Sequence, residues 1–297
     1  MRLRPFEYHE PASLDEVFAL VDRHGEDVRL LAGGTALLLM IRYGIVRPAH
    51  VASLHRLDAL RGIQVDGDVL RLGTLTPHAE IAGSRLVRDH CPLLAAASAR
   101  VATPAIRNMG TIGGNLCYAE SASDVAPALL ALGARVVLAS RRGRRTVELA
   151  AGFYRGMYET SVEEDEILVE IEVPRQRTPG AATYVKWSPR SAEDKALVGV
   201  AAIVHGEGGV CRDIRLALGG VDPTPVRLPQ AEGLARGQRL RGDLIRSVAR
   251  AAAQETHPIT DVQGSAEYRR EMVEVWVARA LRELQSQLGG APVNGAQ

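Results

Sequence analysis

Two glycine-rich segments carry the residues of this sequence whose types and spacing suit the binding of an anion. In the first, Gly33 and Gly34 follow the apolar run 28–31, and Thr35 precedes a helix-compatible run. Glycines between a strand and a helix let a ligand touch the main chain, and a helix start offers unpaired N–H groups. The pattern indicates a phosphate-binding loop, although a lone glycine pair also fits a tight turn.

The second segment, residues 107–124, is denser in glycine than a turn requires. Three glycines fall within residues 110–114, and Thr111 and Asn115 add side chains that can bond a phosphate or a sugar hydroxyl. Two such loops together predict a diphosphate ligand. Neither loop is the G-x-G-x-x-G fingerprint of a Rossmann domain, and the absence of any Gly-Lys pair excludes a Walker A loop.

Asp124 closes the second segment at a position that suits two different roles. A helix is predicted to begin there, so the carboxylate could cap its first turn, in which Pro127 is tolerated. The same carboxylate could instead accept a hydrogen bond from a sugar-like hydroxyl of the ligand. The residues alone leave both interpretations open.

The charge of the chain argues against nucleic-acid and membrane partners. Its formal net charge is +1, from 36 basic and 35 acidic residues that are well mixed. The aliphatic run 36–41 beside the first glycine pair is too short to span a bilayer. Residues 1–10 have no apolar segment behind their arginines, so no secretory signal is visible and we expect a cytoplasmic protein.

The cysteines and histidines show no metal-binding pattern in the sequence. Cys91, Cys117 and Cys211 form no C-x-x-C pair, so neither a disulfide framework nor a zinc or iron–sulfur site is predicted. All three are expected to be buried or half-buried thiols. The eight histidines show no H-E-x-x-H motif and no clustered spacing. The sequence therefore predicts no metal site.

The elements that must position the two loops begin with a β-α-β-like unit over about residues 1–55. Ser13 predicts the N-cap of an amphipathic helix that ends near Gly25. The hairpin signal Asp66-Gly67 opens the next part of the chain. Further predicted elements are strands at 28–31, 51–54, 134–139 and 167–173, helices at 37–42, 78–81, 92–101 and 124–132, and a charged turn at 141–146.

A second domain is predicted after the segment 175–180, which combines charge, proline and glycine. The predicted division is 1–177 and 178–288, with a disordered tail at 289–297. Three predicted strands form an antiparallel sheet in the second domain, and two helices follow it. The strands are at 183–187, 199–205 and 211–218, and the helices are at 242–254 and 266–288.

Seven blocks of the chain, in order, resemble the FAD-binding medium subunits of molybdenum hydroxylases, a family that includes aerobic carbon monoxide dehydrogenase and the flavin domain of xanthine dehydrogenase. The blocks cover almost the whole sequence. The resemblance implies an α+β fold, in which a PCMH-type FAD-binding domain of two α/β subdomains, about 1–55 and 56–177, precedes a C-terminal domain with a three-stranded antiparallel sheet and helices. The blocks are RPFEYHEPASLDE, LLAGGTALL, RNMGTIGGNLCYAESASD, FYRGMYETSVEEDEIL, YVKWSPRSAEDKALVGVA, LALGGVDPTPVR and SAEYRREM.

The resemblance implies FAD as the cofactor, with both glycine loops around its diphosphate. Asp124 would hold a ribityl or ribose hydroxyl, and Leu168 and Lys186 would border the isoalloxazine ring. Any Cβ would intrude on the diphosphate, so Gly113→Val is predicted to give flavin-free protein. Ala36 and Ser53 depart from the family pattern, at the rim of the nucleotide site. The predicted cofactor-binding residues are Ala32, Gly33, Gly34, Thr35, Ala36, Thr111, Ile112, Gly113, Gly114, Asn115, Asp124, Leu168 and Lys186.

The resemblance also implies that the chain is an electron-transfer subunit. Iron–sulfur clusters and molybdopterin would sit on a small [2Fe–2S] subunit and a large subunit, in a dimer of heterotrimers. Electrons would pass from the [2Fe–2S] cluster through FAD to NAD, a quinone or oxygen, and no residue here is assigned as a general base or nucleophile. Two alternatives are a self-sufficient flavin oxidase or reductase and a non-catalytic nucleotide-binding protein.

Overall fold

The computed structural model of the chain describes residues 4–176, 180–207 and 210–288. Its strands are β1 (Glu7–His9), β2 (Val28–Leu31), β3 (His50–Ser53), β4 (Ile63–Asp66), β5 (Val69–Gly73), β6 (Arg135–Ser140), β7 (Gly143–Glu148), β8 (Tyr154–Gly156), β9 (Glu159–Thr160), β10 (Ile167–Pro174), β11 (Gly180–Trp187), β12 (Val198–Glu207), β13 (Val210–Gly219) and β14 (Val226–Arg227). Its helices are α1 (Leu14–His24), α2 (Leu37–Tyr43), α3 (His78–Gly83), α4 (Arg85–His90), α5 (Pro92–Ala99), α6 (Pro104–Met109), α7 (Ile112–Tyr118), α8 (Val125–Leu132), α9 (Pro229–Ala235), α10 (Gly242–Gln254) and α11 (Ala266–Leu288).

The chain opens with a parallel three-stranded sheet in the order β1-β3-β2. The Ser13 side chain accepts the N–H of Glu16, and Gly25 ends α1, so the predicted helix limits are confirmed. Val17 and Phe18 of α1 pack into a core with β2 and β3. Because β2 runs directly into the first glycine pair, this sheet positions the first loop.

A five-stranded antiparallel sheet follows, in the order β4-β5-β10-β6-β7. Its β4–β5 hairpin turns at the predicted Asp66-Gly67 pair. The expectation of a charged turn over 141–146 is wrong beyond Arg142, because β7 begins at Gly143 and pairs with β6. An exposed edge strand tolerates this much charge, and Arg145 is paired with the buried Glu166.

The C-terminal sheet is antiparallel in the order β11-β12-β13-β14, so a two-residue strand is added to the three that were predicted. The predicted bounds of α10 and α11 are confirmed. Both helices share a hydrophobic core with one side of the sheet. The opposite side packs against the fully buried helix α8, which joins the C-terminal sheet to the second glycine segment.

The predicted α+β fold class is confirmed by this architecture. The division at residue 177 stays a prediction, and residues 177–179 and the predicted tail 289–297 lie outside the described residues. Within the described part of the chain, no helix combines the length and the apolar character that crossing a membrane would need.

Candidate cofactor site

The two glycine loops meet backbone to backbone although they lie far apart in the sequence. A Cβ placed on Gly33 would lie 2.0 Å from the carbonyl oxygen of Met109 and 3.0 Å from Cα of Gly110. Gly34, next in the chain, has a φ of +74°, which favours glycine. The first loop therefore needs glycine both for its own bend and for contact with the second loop.

A cleft of about 340 Å³ opens between these loops. The side of the cleft formed by the first loop continues into α2, and the opposite side belongs to α6, α7 and the residues between them. The structure brings eight of the predicted residues to this cleft. They are Ala32, Gly33, Gly34, Thr35, Ala36, Thr111, Gly114 and Asn115.

The first loop presents its main-chain donors without protein partners. Among the described residues, the backbone N–H groups of residues 33–36 donate no hydrogen bond to a protein acceptor. Each of these residues lines the cleft and is only partly buried. Four successive free N–H groups beside a cavity form a site for an anionic oxygen.

The second loop uses most of its main-chain donors within the protein. Ile112 N donates to the Thr76 carbonyl at 3.0 Å and Gly113 N to the Thr74 carbonyl at 2.9 Å. Gly114 N donates to the hydroxyl of Thr111 at 3.2 Å, which caps α7. Of the N–H groups of residues 110–115, that of Thr111 has no protein acceptor among the described residues. This loop therefore contributes side chains, a bare surface at Gly114 and one free N–H group to the cleft.

The reason given from the sequence for glycine at position 113 was wrong. A Cβ on Gly113 would lie 1.6 Å from the Thr74 hydroxyl and 2.9 Å from the Thr74 carbonyl oxygen, not in the cleft. Glycine is needed there because α7 packs directly on the segment that follows β5. Gly113→Val would therefore disturb packing first and the ligand only indirectly.

Asp124 takes part in a buried network rather than capping a helix. It makes no capping hydrogen bond, and the Ser123 hydroxyl accepts the Ala126 N–H instead. The Tyr184 hydroxyl donates to Asp124 Oδ1 at 2.6 Å, and Lys186 Nζ donates to Asp124 Oδ2 at 3.0 Å. The capping interpretation is thereby excluded, and the carboxylate instead joins α8 to β11.

The network of Asp124, Tyr184 and Lys186 is deeply buried. Asp124 is 6% exposed and Lys186 is 7% exposed, so Lys186 is not a surface lysine. Burial raises the pKa of Asp124, and the Lys186 ammonium and Tyr184 hydroxyl oppose that shift. Neither Asp124 nor Lys186 lines the cleft, but Ser123, which precedes Asp124 in the chain, donates its hydroxyl hydrogen to Oδ1 of the cleft-lining Asn115 at 2.6 Å.

Two predicted residues lie in the core instead of on the cleft. Ile112 is fully buried, and Leu168 is 4% exposed within the same hydrophobic core. Leu168 pairs with Leu138 just before an irregularity in β10. The predicted position of Leu168 beside the flavin ring therefore rests on the family resemblance alone.

His78 is a cleft residue that sequence reasoning missed. It is 2% exposed, and its Nδ1 has no hydrogen-bond partner in the described structure. Its backbone N–H donates to the Gly110 carbonyl at 3.0 Å, next to a β-bridge between Pro77 and Thr111. Burial lowers the pKa of His78 to about 4, so the ring is neutral at neutral pH.

Cys117 and Tyr118 also line the cleft, at the end of α7. Cys117 is exposed, contrary to the expectation of a buried or half-buried thiol, whereas Cys91 and Cys211 are buried. The Tyr118 ring lies 5.3 Å from the Tyr158 ring, centroid to centroid. An aromatic pair at the cleft mouth provides a surface against which a planar ring could stack.

The residues present fit the diphosphate and sugar parts of FAD. Free N–H groups on residues 33–36 suit phosphate oxygens, and the Thr35 hydroxyl lies on the same cleft. His78 adds a neutral ring with an unsatisfied nitrogen. Such a buried polar atom is costly unless a ligand or water satisfies it.

Comparison with known proteins agrees with this chemistry. The sequence profile of the family described as "FAD binding domain in molybdopterin dehydrogenase" matches residues 4–176, and that of the "CO dehydrogenase flavoprotein C-terminal domain" matches residues 183–284. The carbon monoxide dehydrogenase medium chain of Hydrogenophaga pseudoflava is 36% identical over 93% of this chain and 96% of its own length.

A second relative is the nicotine 6-hydroxylase medium subunit of Paenarthrobacter nicotinovorans, 34% identical over 95% of this chain and 98% of its own length. Among solved structures, a chain of the Hydrogenophaga pseudoflava carbon monoxide dehydrogenase that lacks the Mo-pyranopterin moiety superposes with a TM-score of 0.93 at 36% identity, covering 97% of this chain and 99% of that one. The chain therefore belongs to the FAD-binding family of the molybdopterin dehydrogenases, and it is an FAD-dependent chain of an oxidoreductase.

Proposed function

We propose that the cleft between the glycine loops holds the FAD diphosphate, with residues 33–36 as its main donors. The observation that carries this proposal is the row of free backbone N–H groups on the first loop. The second loop holds the first loop in position, because Met109 packs closely against Gly33. Thr111, Gly114 and Asn115 form the opposite side of the cleft, and Ile112 and Gly113 set the position of α7.

Asp124 and Lys186 keep unused hydrogen-bonding capacity for the ribityl chain and the flavin ring. An ammonium group has three N–H donors, and Lys186 spends two, on Asp124 and on the Arg100 carbonyl at 3.0 Å. The carboxylate accepts one bond at each oxygen from the protein, which leaves further lone pairs. In this proposal one donor of Lys186 faces the ring and Asp124 accepts a hydroxyl, while Leu168 lies at the ring border.

The proposed role is that of a medium subunit in a molybdenum hydroxylase. When bound, FAD supplies the redox chemistry, accepting electrons from a partner's [2Fe–2S] cluster and releasing them to NAD, a quinone or oxygen. This chain's residues bind and orient the cofactor and shield part of it from water. Relatives named as medium chains match over nearly their whole length, which supports the assignment to a multi-subunit enzyme. The cytoplasmic location expected from the sequence is part of this proposal.

Exposed apolar side chains beside the site support the proposed partner subunits. Leu39 and Tyr43 on α2 and Ile45 after it are 49%, 62% and 73% exposed, and Met109 at the end of α6 is 61% exposed. Large exposed apolar groups concentrated near one site indicate a surface that another chain covers. The proposed partners are a large molybdopterin-containing subunit and a small [2Fe–2S] subunit, in a dimer of heterotrimers.

Purification of the tagged full chain from its native cells tests the proposed function. We expect a larger chain that contains molybdenum and a smaller chain that contains iron to co-purify with it in equal amounts. Ile45→Arg is expected to reduce their recovery at least tenfold while leaving the FAD content of this chain unchanged. Recovery of a yellow chain that turns over a substrate without either partner would contradict the subunit assignment.

His78→Phe separates a ligand role of the imidazole from a packing role. The substitution keeps an aromatic ring but removes a buried polar atom without a protein partner, so the apo chain should unfold at the same or higher urea concentration. FAD should bind roughly tenfold more weakly, because a hydrogen bond to a charged group contributes about 1.5–3 kcal/mol. Fluorescence titration of the apo chain with FAD measures this, and an unchanged dissociation constant would contradict the assignment.

A further inference from the structure

Three histidines that are far apart in the sequence converge at one end of the parallel sheet. His9 ends β1, His24 ends α1, and His50 begins β3. One ring nitrogen from each lies within 4.8 Å of the others, and all three residues are partly buried. Glu7 lies beside them, because it is the register partner of His50 in the sheet. These four residues are called the histidine cluster below.

Within the histidine cluster, the spacing of His9, His50 and Glu7 is close to that of ligands around a metal ion. His9 Nε2 lies 3.1 Å from His50 Nδ1, and the Glu7 oxygens lie 3.4 Å from His50 Nδ1 and 3.8 Å from His9 Nε2. Ligand atoms held at about 2.0–2.1 Å by a tetrahedral Zn²⁺ are about 3.3–3.4 Å apart. The three measured distances between ligand atoms therefore lie on both sides of the distance expected for two ligands of one ion.

A simple hydrogen bond does not account for the whole arrangement. It would explain His9 and His50, but the His24 ring, which packs on the His50 ring with the centroids 3.7 Å apart, has no hydrogen bond of its own among the described residues. To share an ion with His50, the His24 ring would turn out of this packing and direct a nitrogen at the ion. A neutral imidazole is the form that coordinates metals.

We propose that the histidine cluster binds one divalent transition-metal ion such as Zn²⁺, through His9, His24 and His50 with Glu7 as the fourth ligand. Three imidazoles and a carboxylate are ligands that such an ion prefers. The bound ion would fasten β1 and the end of α1 to β3. Since the first glycine loop follows the C-terminal end of β2 and His50 lies at the start of the parallel β3, the metal site and the FAD cleft are at opposite ends of this sheet.

Titration of the metal-stripped full chain with Co²⁺ tests the proposal, because tetrahedral Co²⁺ has characteristic visible absorption. We expect one equivalent to bind per chain, and His24→Gln and His50→Gln each to weaken binding at least tenfold. His90→Gln, at the end of α4 and outside the cluster, should bind like wild type. Zn²⁺ should displace Co²⁺ and raise the unfolding temperature of the wild-type chain but not of the two cluster variants.

Flavin content provides the folding control for these variants. Both cluster variants should retain wild-type FAD, because the FAD cleft shares no residue with the cluster. Folded, flavin-loaded His50→Gln that still binds one equivalent of Co²⁺ with wild-type affinity would overturn the proposal. Failure of the wild-type chain to bind Co²⁺ above the level of a His24→Gln/His50→Gln double variant would overturn it too.

Discussion

Gly33→Ala is expected to yield a chain that no longer retains FAD. The added Cβ would lie 2.0 Å from the Met109 carbonyl oxygen and 2.8 Å from its carbon, both backbone atoms that cannot rotate away. The two loops must separate, which moves the free N–H groups of residues 33–36 away from the opposite side of the cleft. Overpacking of this kind costs about 1–3 kcal/mol, and each 1.4 kcal/mol of lost binding weakens affinity about tenfold.

The matched control for this substitution is Gly233→Ala. Gly233 lies within α9, where nothing lies within 4 Å of an added Cβ, and alanine is the better helix former. We expect this variant to carry full flavin and to unfold at the same or a higher urea concentration. FAD absorbance per chain after gel filtration compares the two variants. Full flavin in Gly33→Ala would contradict the contact between the loops on which the site depends.

Lys186→Met is expected to destabilise the chain by about 3–5 kcal/mol, the typical result of leaving one member of a buried ion pair unpaired. Methionine is close to lysine in shape, so the loss comes from the uncompensated Asp124 carboxylate rather than from a cavity. Asp124→Asn in the same chain should restore much of the stability, which a double-mutant cycle in urea measures. If Lys186→Met lost less than about 1 kcal/mol of unfolding free energy, Asp124 and Lys186 would not be a buried charge pair.

Lysine occurs only at positions 186 and 195 in the sequence, so Lys195→Met is the natural control. Lys195 is 53% exposed and pairs with Glu120 near the surface, where such pairs contribute about 0–1 kcal/mol. We therefore expect Lys195→Met to unfold close to wild type. A large loss in Lys195→Met would contradict the distinction drawn between the two lysines.

The loss of unfolding free energy in Lys186→Met should also depend on pH. Burial already raises the pKa of Asp124 above the ordinary value of 3.8, and removal of the ammonium raises it further. A raised folded-state pKa favours the folded protein at low pH and loses that benefit as pH rises through it. This loss should therefore be largest at neutral pH and shrink as pH falls toward 3.8, as urea unfolding at several pH values measures.

Local patterns were sufficient to predict much of the fold. Ser13 and Gly25 fixed α1 because a capping hydroxyl and a helix-ending glycine act within a few residues of the chain. The Asp66-Gly67 hairpin and the limits of α10 and α11 follow from equally local signals. The two-residue strand β14 carries no such signal, because it is defined only by its pairing with β13.

The site was less predictable because its contacts join distant segments. Glycine density identified both loops, but only the structure shows that Gly113 faces Thr74 and that the row of four free N–H groups lies on the first loop. Asp124 at a helix start suggested a cap, whereas its partners Tyr184 and Lys186 come from a strand about sixty residues later.

The positions of the histidines were also not predictable, because they depend on contacts between distant segments. His78 follows a proline at an ordinary helix start, and only the bridge between Pro77 and Thr111 places it on the cleft. The histidine cluster draws on positions 9, 24 and 50, whose spacing matches no ligand motif. Parallel strand pairing of β1 with β3 creates that proximity, which a sequence pattern of fixed spacing does not contain.

The most direct measurement is a crystal structure of the full chain with FAD bound, in which the distances from the diphosphate oxygens to backbone nitrogens are determined. We expect at least two N–H groups of residues 33–36 to lie about 2.7–3.1 Å from those oxygens, with the diphosphate between the first loop and Thr111. A diphosphate bound outside this cleft, with those N–H groups facing solvent, would contradict it.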